Sequence, residues 1–179
     1  RRIATELRPG VLDSLGLAFD AAVPAGTVEV RISLNSTREF GMVISAGLGG
    51  LEADLDEGNF RRDRASVYAA AALTDAEDFL RLFQRTLAYQ KLAAVARRDA
   101  TASPDAALKG CFEQLLALAK AFGPGQPEAP FVLQAIEMNP VQAGGKVTVS
   151  AAQCSFGAPQ SGRLPRPIEK IDKLIHPKR

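Results

Sequence analysis

Tryptophan is absent from the 179 residues, tyrosine occurs twice, cysteine twice and histidine once. With so few aromatic side chains, a core has to be assembled mainly from Ala, Val, Leu and Ile. The two cysteines, Cys111 and Cys154, have neither metal-ligand spacing nor the density of a disulfide framework. Cys111 falls on the apolar face of a predicted helix, where a reduced structural thiol is expected. No apolar run approaches the roughly 20 residues needed to span a bilayer, and no signal peptide is visible, so a cytoplasmic setting is the simplest one. Charge of one sign is also lacking: 22 basic and 20 acidic residues leave a net +2. That balance argues against nucleic acid or an anionic membrane as partner. The basic residues that gather late, Arg163, Arg166, Lys170, Lys173, Lys178 and Arg179, read as a solvated linker. No internal repeat or low-complexity tract occurs.

Hydrophobic residues at 46% and charged residues at 23% are ordinary for a soluble domain, and the length suits one globular domain with a sizeable core. The chain opens on Arg1 rather than Met, which reads as a piece of a longer polypeptide. Residues from about Leu15 to Ala46 read as β structure. Leu17 to Val23 is apolar, and Pro24-Ala25-Gly26 marks a turn. Thr27 to Leu34 then alternates, with Val28, Val30, Ile32 and Leu34 on one side and Glu29, Arg31 and Ser33 on the other, the pattern of a half-buried strand. Asn35 to Glu39 reads as a polar turn and Phe40 to Ala46 as the returning strand. Leu51 to Arg64 is charged and irregular and reads as loop.

Helical periodicity starts at Thr74, where Thr74 and Glu77 have the spacing of a capping box. Ala76, Phe79, Leu80, Phe83 and Leu87 form one buried stripe, and this helix is expected to run to about Lys91. A second helix is expected with Ser103 as N-cap, Pro104 in its first position and Gly123-Pro124 as its stop. Its core face comprises Leu108, Cys111, Phe112, Leu115, Ala119 and Phe122. Phe131 to Ile136 reads as a strand, Gly144-Gly145 as a hairpin turn and Lys146 to Ser150 as the return. A short amphipathic helix over Ile168 to Ile175 is compatible with the tail. The resulting order, β-β-β-α-α-β-β, implies an α+β fold, a mainly antiparallel sheet packed by two main helices.

Two stretches carry possible chemistry. Gly47-Leu48-Gly49-Gly50 closes a strand, and glycines there let backbone N–H groups approach an anion; alone, such a stretch is usually just a turn. Glu137-Met138-Asn139-Pro140 places a carboxylate and an amide oxygen two residues apart on one side of a strand. Hard oxygens of this kind suit Mg²⁺, which shares its ligands with nucleotide phosphates; alone, the stretch reads as Asn139 capping a strand end before Pro140.

In order, Val23-Pro24-Ala25-Gly26-Thr27-Val28-Glu29-Val30, Phe40-Gly41, Gly47-Leu48-Gly49-Gly50, Leu73-Thr74-Asp75-Ala76, Glu137-Met138-Asn139-Pro140 and the hairpin of Gly145 to Ala151 resemble the later part of the ATP-grasp domain of NDP-forming acyl-CoA synthetases, relatives of succinyl-CoA synthetase. The resemblance covers about Leu15 to Phe156. It implies a partial ATP-grasp-like subdomain over residues 1–156 and a linker over 157–179 leading toward a CoA-binding domain. Arg166 to Arg179 is similar to the lead-in to that domain in fused members.

The resemblance further implies binding of ATP or ADP with Mg²⁺, and phosphoryl transfer from a phosphohistidine on another domain of an acid–thiol ligase. By matching position, Asn139 would be a Mg²⁺ ligand. Glu137 would support the metal or the strand end, Glu29 would lie on the nucleotide-facing strand, and Gly47, Gly49 and Gly50 would line the cofactor. Four positions depart from the family pattern: Ser150 stands for the second Mg²⁺-ligating Asp, Thr37 for the Asp before Phe-Gly, Met42 for a Pro and Asp20 for a Gln. The first jaw of the ATP-grasp cleft is also missing. A degenerate ATP-grasp scaffold without metal binding is therefore the second reading. A third reading rests on Arg2 to Leu17, which resembles the dimerisation segment of sensor histidine kinases and would make the chain part of a signalling protein. His176 lies in the linker-like tail, away from any phosphohistidine context.

Overall fold

In a computed structural model of the chain, the described residues are 18–19, 28–50, 62–126, 129–143, 147–149 and 151–158. They form strands β1 (Ala18–Phe19), β2 (Val30–Thr37) and β3 (Gly41–Leu48), helix α1 (Arg62–Ala65) and strand β4 (Ser66–Ala70). Helices α2 (Ala76–Phe83), α3 (Leu87–Arg98) and α4 (Asp105–Phe122) follow, then β5 (Val132–Ala143), β6 (Val147–Val149) and β7 (Ala152–Gly157). All strands join one seven-stranded sheet in the order β1-β6-β5-β2-β3-β4, with β7 also paired to β5. Among the described residues, only the pairing of β1 with β6 is parallel. The expected α+β class with a mainly antiparallel sheet is what the chain adopts.

Period-2 alternation builds the core face of this sheet. Val30, Ile32 and Leu34 of β2 are fully buried, and Met42, Ile44, Ala46 and Leu48 of β3 are buried beside them. Against them pack Phe79, Leu80 and Phe83 of α2, Ala88 and Leu92 of α3, and Leu108, Phe112 and Leu115 of α4. The Phe112 ring meets Phe79 edge-on at 4.8 Å and Phe83 at 6.0 Å between centroids, a favoured arrangement for opposed ring quadrupoles. Because the helices share this one face, the other face of the sheet keeps its polar alternation.

Several expected boundaries are corrected. The helix expected from Thr74 to Lys91 is two helices, because fully buried Thr86 intervenes. Its hydroxyl donates to the Phe83 carbonyl at 2.7 Å and accepts from the Tyr89 N–H at 3.3 Å, closing one helix and capping the next. The cap of α2 is Asp75, accepting from Asp78 N–H at 2.8 Å, in place of the Thr74–Glu77 box. Glu77 is paired instead with Lys109 of α4 at 2.8 Å. Pro104, rather than Ser103, holds the cap position of α4, without a side-chain cap bond.

Strand β2 continues through the expected turn to Thr37, and residues 38–40 make the turn. The Thr37 hydroxyl accepts from Phe40 N–H at 3.1 Å and donates to the Gly41 carbonyl at 3.0 Å. Strand β5 runs past Ile136 through Glu137-Met138-Asn139-Pro140, so Asn139 does not end it. Val30 pairs with Val141 and Ile32 with Met138, leaving one extra residue on β5 opposite Arg31. That bulge is where a strand tolerates a proline, which has no N–H for the ladder. Strands β4 and β7 and the single turn α1 are elements the periodicity does not announce. Asp20, the turn at Gly144-Gly145, Ser150, the 2–17 segment, the 168–175 helix and His176 lie outside the described residues.

Candidate functional site: the open sheet face and its glycine corner

The ladder registers bring one polar rung across the sheet. Gln153 of β7 pairs with Glu137 of β5, Glu137 with Ser33 of β2, Ser33 with Ser45 of β3, and Ser45 with Tyr68 of β4. Residues directly opposite in a ladder share a face, so these side chains line the side away from the helices. Gln153, Glu137 and Tyr68 are exposed, and Tyr68 keeps 67% of its surface free. Ser33 is buried among its neighbours; its hydroxyl lies 2.7 Å from that of Ser45 and accepts from the Asn35 amide at 2.9 Å. Sequence alternation put Arg31, Ser33 and Glu29 on this side, but Ser45, Tyr68 and Gln153 were not singled out. Only strand register reveals them.

At one end of this face the chain makes a tight corner. Gly49 N–H donates to the Glu29 carbonyl at 3.0 Å, extending the β2–β3 ladder one step beyond Val30 and Leu48. A Cβ on Gly49 would sit 2.6 Å from the Val30 carbonyl carbon, so only glycine lets the strands approach this closely. Gly50 follows with φ +58°, and a Cβ there would run into the Glu29 carboxylate. From the third strand, the Asn139 carboxamide oxygen accepts from Gly50 N–H at 2.9 Å. Asn139 in turn donates its own N–H to the Ala151 carbonyl at 3.0 Å, tying the β5 bulge to the start of β7. Gly47, buried in β3, pairs with Arg31 and with Ser66.

Four of the six residues expected at a site thus converge, Glu29, Gly49 and Gly50 with Asn139, while Gly47 lies two residues back along β3 beside Arg31 and Ser66. Glu137 lies two residues along β5, on the open polar face. The expectation of free backbone donors is corrected at two positions, since the N–H groups of Gly49 and Gly50 both have protein acceptors. Thr37, in the position of a family Asp, sits at the far end of the β2–β3 hairpin. Seven residue steps along β2 separate it from Val30, about 23 Å at strand rise, and its hydroxyl is engaged in the turn. Among the described residues no group of three or more His, Cys, Asp or Glu side chains is found that could hold a metal ion.

Two surface clefts lie elsewhere. One, of about 420 Å³, is lined by Ala70, Leu73, Asp78 and Arg85, among others. A second, of about 670 Å³, runs between Phe40, Met42 and Ala72 and the later half of α4. Neither touches the glycine corner, and the open sheet face beside that corner is the candidate site. Cys154 is half-buried, and burial pushes its thiol up to about 11. Cys111 is buried in α4, and its thiol is pushed up to about 12. Both are structural thiols, not nucleophiles.

The fold recurs in solved structures. Dinucleotide forming acetyl-coenzyme A synthetase 1 of Ca. Korarchaeum cryptofilum, in complex with coenzyme A and Mg-AMPPCP, aligns at 25% identity over 74% of this chain and 54% of its own, with a TM-score of 0.51. In fold, this chain is an ATP-grasp-like subdomain similar to the NDP-forming acetyl-CoA synthetases. The apo form of the same enzyme aligns at 23% identity with a TM-score of 0.53, over 75% of this chain and 55% of its own. PH1788 from Pyrococcus horikoshii Ot3 shares the fold at 17% identity and a TM-score of 0.56, over 76% of this chain and 51% of its own. The ATP-grasp-like subdomain therefore spans about half the length of the solved chains it matches. No protein-family model and no curated protein matches the chain. No helix among the described residues is long and apolar enough to cross a membrane.

Proposed function

We propose that the chain is the nucleotide-binding portion of an NDP-forming acyl-CoA synthetase, an acid–thiol ligase of the cytoplasm. It would serve phosphoryl transfer between a phosphohistidine on another domain and a nucleoside diphosphate. The observation that carries this reading is the fold shared with an acetyl-CoA synthetase solved with Mg-AMPPCP, whose phosphohistidine segment points towards its nucleotide binding site. The open face of Ser33, Ser45, Tyr68, Glu137 and Gln153 supports it, since a nucleotide needs an accessible polar surface beside an apolar one. Residues 157–179 would then lead to a CoA-binding domain, with the acyl and phosphohistidine chemistry placed on partner domains or subunits.

The residues present suit Mg²⁺ in a limited way. The Asn139 oxygen has two lone pairs, of which Gly50 N–H uses one. Mg²⁺ commonly takes one or two protein oxygens and completes its shell with phosphates and water. Asn139 would hold the metal, with Glu137 nearby on the same strand, and the ion would neutralise charge on the phosphates. The glycine corner keeps side chains out of the way at Gly47, Gly49 and Gly50, and Glu29 closes its edge. A degenerate scaffold is the second reading, favoured by Ser150 and Thr37 standing where the resemblance implies Asp.

Calorimetric titration of ADP and ATP, with and without Mg²⁺, into the full chain and the Asn139→Ala variant tests the proposal. Binding that requires Mg²⁺ and is lost in the variant is expected. Absence of binding in a protein that also carries the first jaw of the cleft would overturn it in favour of the scaffold.

A further inference from the structure

The Asn139 carboxamide lies on an irregular stretch of strand, where its orientation is not fixed by ladder pairing. Its terminal torsion is sp³–sp² and intrinsically broad, so oxygen and NH₂ would exchange places freely without a neighbour that distinguishes them. Gly50 N–H is that neighbour. This N–H can donate only to the carboxamide oxygen, 2.9 Å away, and not to the NH₂. The donor itself is held rigidly, because Gly49 N–H is fixed to the Glu29 carbonyl at 3.0 Å and Gly50 sits in the left-handed region at φ +58°. The Glu29 carboxylate occupies the place a Gly50 side chain would take. Three separate strands therefore meet on one polar contact, 89 residues apart in sequence between Gly50 and Asn139.

We propose that Gly50 is a positioning residue whose backbone N–H fixes the Asn139 carboxamide so that its oxygen, not its NH₂, faces a metal nucleotide. This rests on the nucleotide-binding reading above. Metal-bound side chains gain affinity when a second hydrogen bond fixes their orientation, typically by a factor of about 10–100. Here a main-chain donor supplies that bond, and glycine holds the φ of +58° that aims it at Asn139 without strain.

Two readouts on the ¹⁵N-labelled full chain test it. The first is hydrogen exchange of the Gly50 amide. It should speed up at least about tenfold in Asn139→Ala and stay slow in Asn139→Asp, which keeps an acceptor oxygen, while the Gly49 amide changes in neither. The second is Mg²⁺-dependent ADP binding, with line broadening of the Asn139 side-chain amide by Mn²⁺-ADP as its spectroscopic signature. Gly50→Ala should weaken Mg-ADP about tenfold or more and reduce the broadening, because alanine disfavours φ +58° and its N–H is then re-aimed away from the Asn139 oxygen. Asn139→Asp, which keeps the corner folded, should retain Mg-ADP binding. Wild-type Mg-ADP affinity and undiminished broadening in Gly50→Ala would overturn the proposal, as would unchanged Gly50 exchange in Asn139→Ala. If a protein that also carries the first jaw of the cleft does not bind Mg-ADP, the nucleotide reading falls, and the positioning role with it. Faster Gly50 exchange in Asn139→Ala would then identify a purely structural contact.

Discussion

Replacing glycine by alanine at two positions should move stability in opposite directions, because the structure gives the new methyl group opposite surroundings. At Gly49 a Cβ would lie 2.6 Å from the Val30 carbonyl carbon, 2.7 Å from its oxygen and 2.8 Å from the Arg31 nitrogen. All three are backbone atoms of the paired strand, so no side chain can swing aside. Relief requires β2 and β3 to part by nearly an ångström, which stretches the 3.0 Å bond from Gly49 N–H to the Glu29 carbonyl. Overpacking of this kind costs about 1–3 kcal/mol, and the weakened hydrogen bond adds about 1 kcal/mol. Gly49→Ala should therefore destabilise by about 2–4 kcal/mol.

Gly110 is the control. It lies inside α4, and nothing stands within 4 Å of the place its Cβ would take. Alanine there gains helix propensity and should stabilise by about 0.5–1 kcal/mol. Urea unfolding of the full chain followed by circular dichroism measures both, provided the slopes stay equal. A Gly49→Ala variant within about 0.5 kcal/mol of the parent, or a shift of the same sign at both sites, would refute the argument from close strand approach.

The remaining predictions concern titration and thiol chemistry. Burial, followed by its 2.6 Å hydrogen bond to Asp105, raises the Tyr89 hydroxyl above its usual range. The folded state then holds this proton more tightly than the unfolded state, so stability falls as pH rises past about 10, the unfolded value. Tyr89→Phe should flatten that alkaline decline and cost about 1 kcal/mol at neutral pH, measured by urea unfolding at several pH values. A decline of equal steepness in the variant would assign it to other groups. With the Cys111 thiol pushed up to about 12 and that of Cys154 to about 11 by burial, Cys111 should not react with a thiol reagent at pH 8 until the chain unfolds, and half-buried Cys154 should react far more slowly than a free thiol. Rapid labelling of Cys111 in folded protein would show that α4 opens locally.

What the sequence by itself determined was local. The alternation of Val28 to Leu34 fixes which side of β2 is buried, because successive strand side chains point to opposite faces. Ala76, Phe79, Leu80 and Phe83 likewise determine the buried stripe of α2. The glycine corner and Asn139 could be singled out because glycine runs and hard oxygens are chemically distinctive even out of context. Tertiary structure decided the rest. Thr86 breaks one expected helix in two through a buried hydroxyl that periodicity cannot weigh. Asn139-Pro140 stays within β5 only because the extra residue is taken up as a bulge of β5 opposite Arg31 of β2. Ser45, Tyr68 and Gln153 join the polar face through register, and a register belongs to pairs of strands, not to either one. The contact of Gly50 with Asn139 joins residues whose proximity depends on three strands being laid side by side. No local propensity encodes that neighbourhood, which arises only when the apolar faces of those strands are buried together beneath the helices.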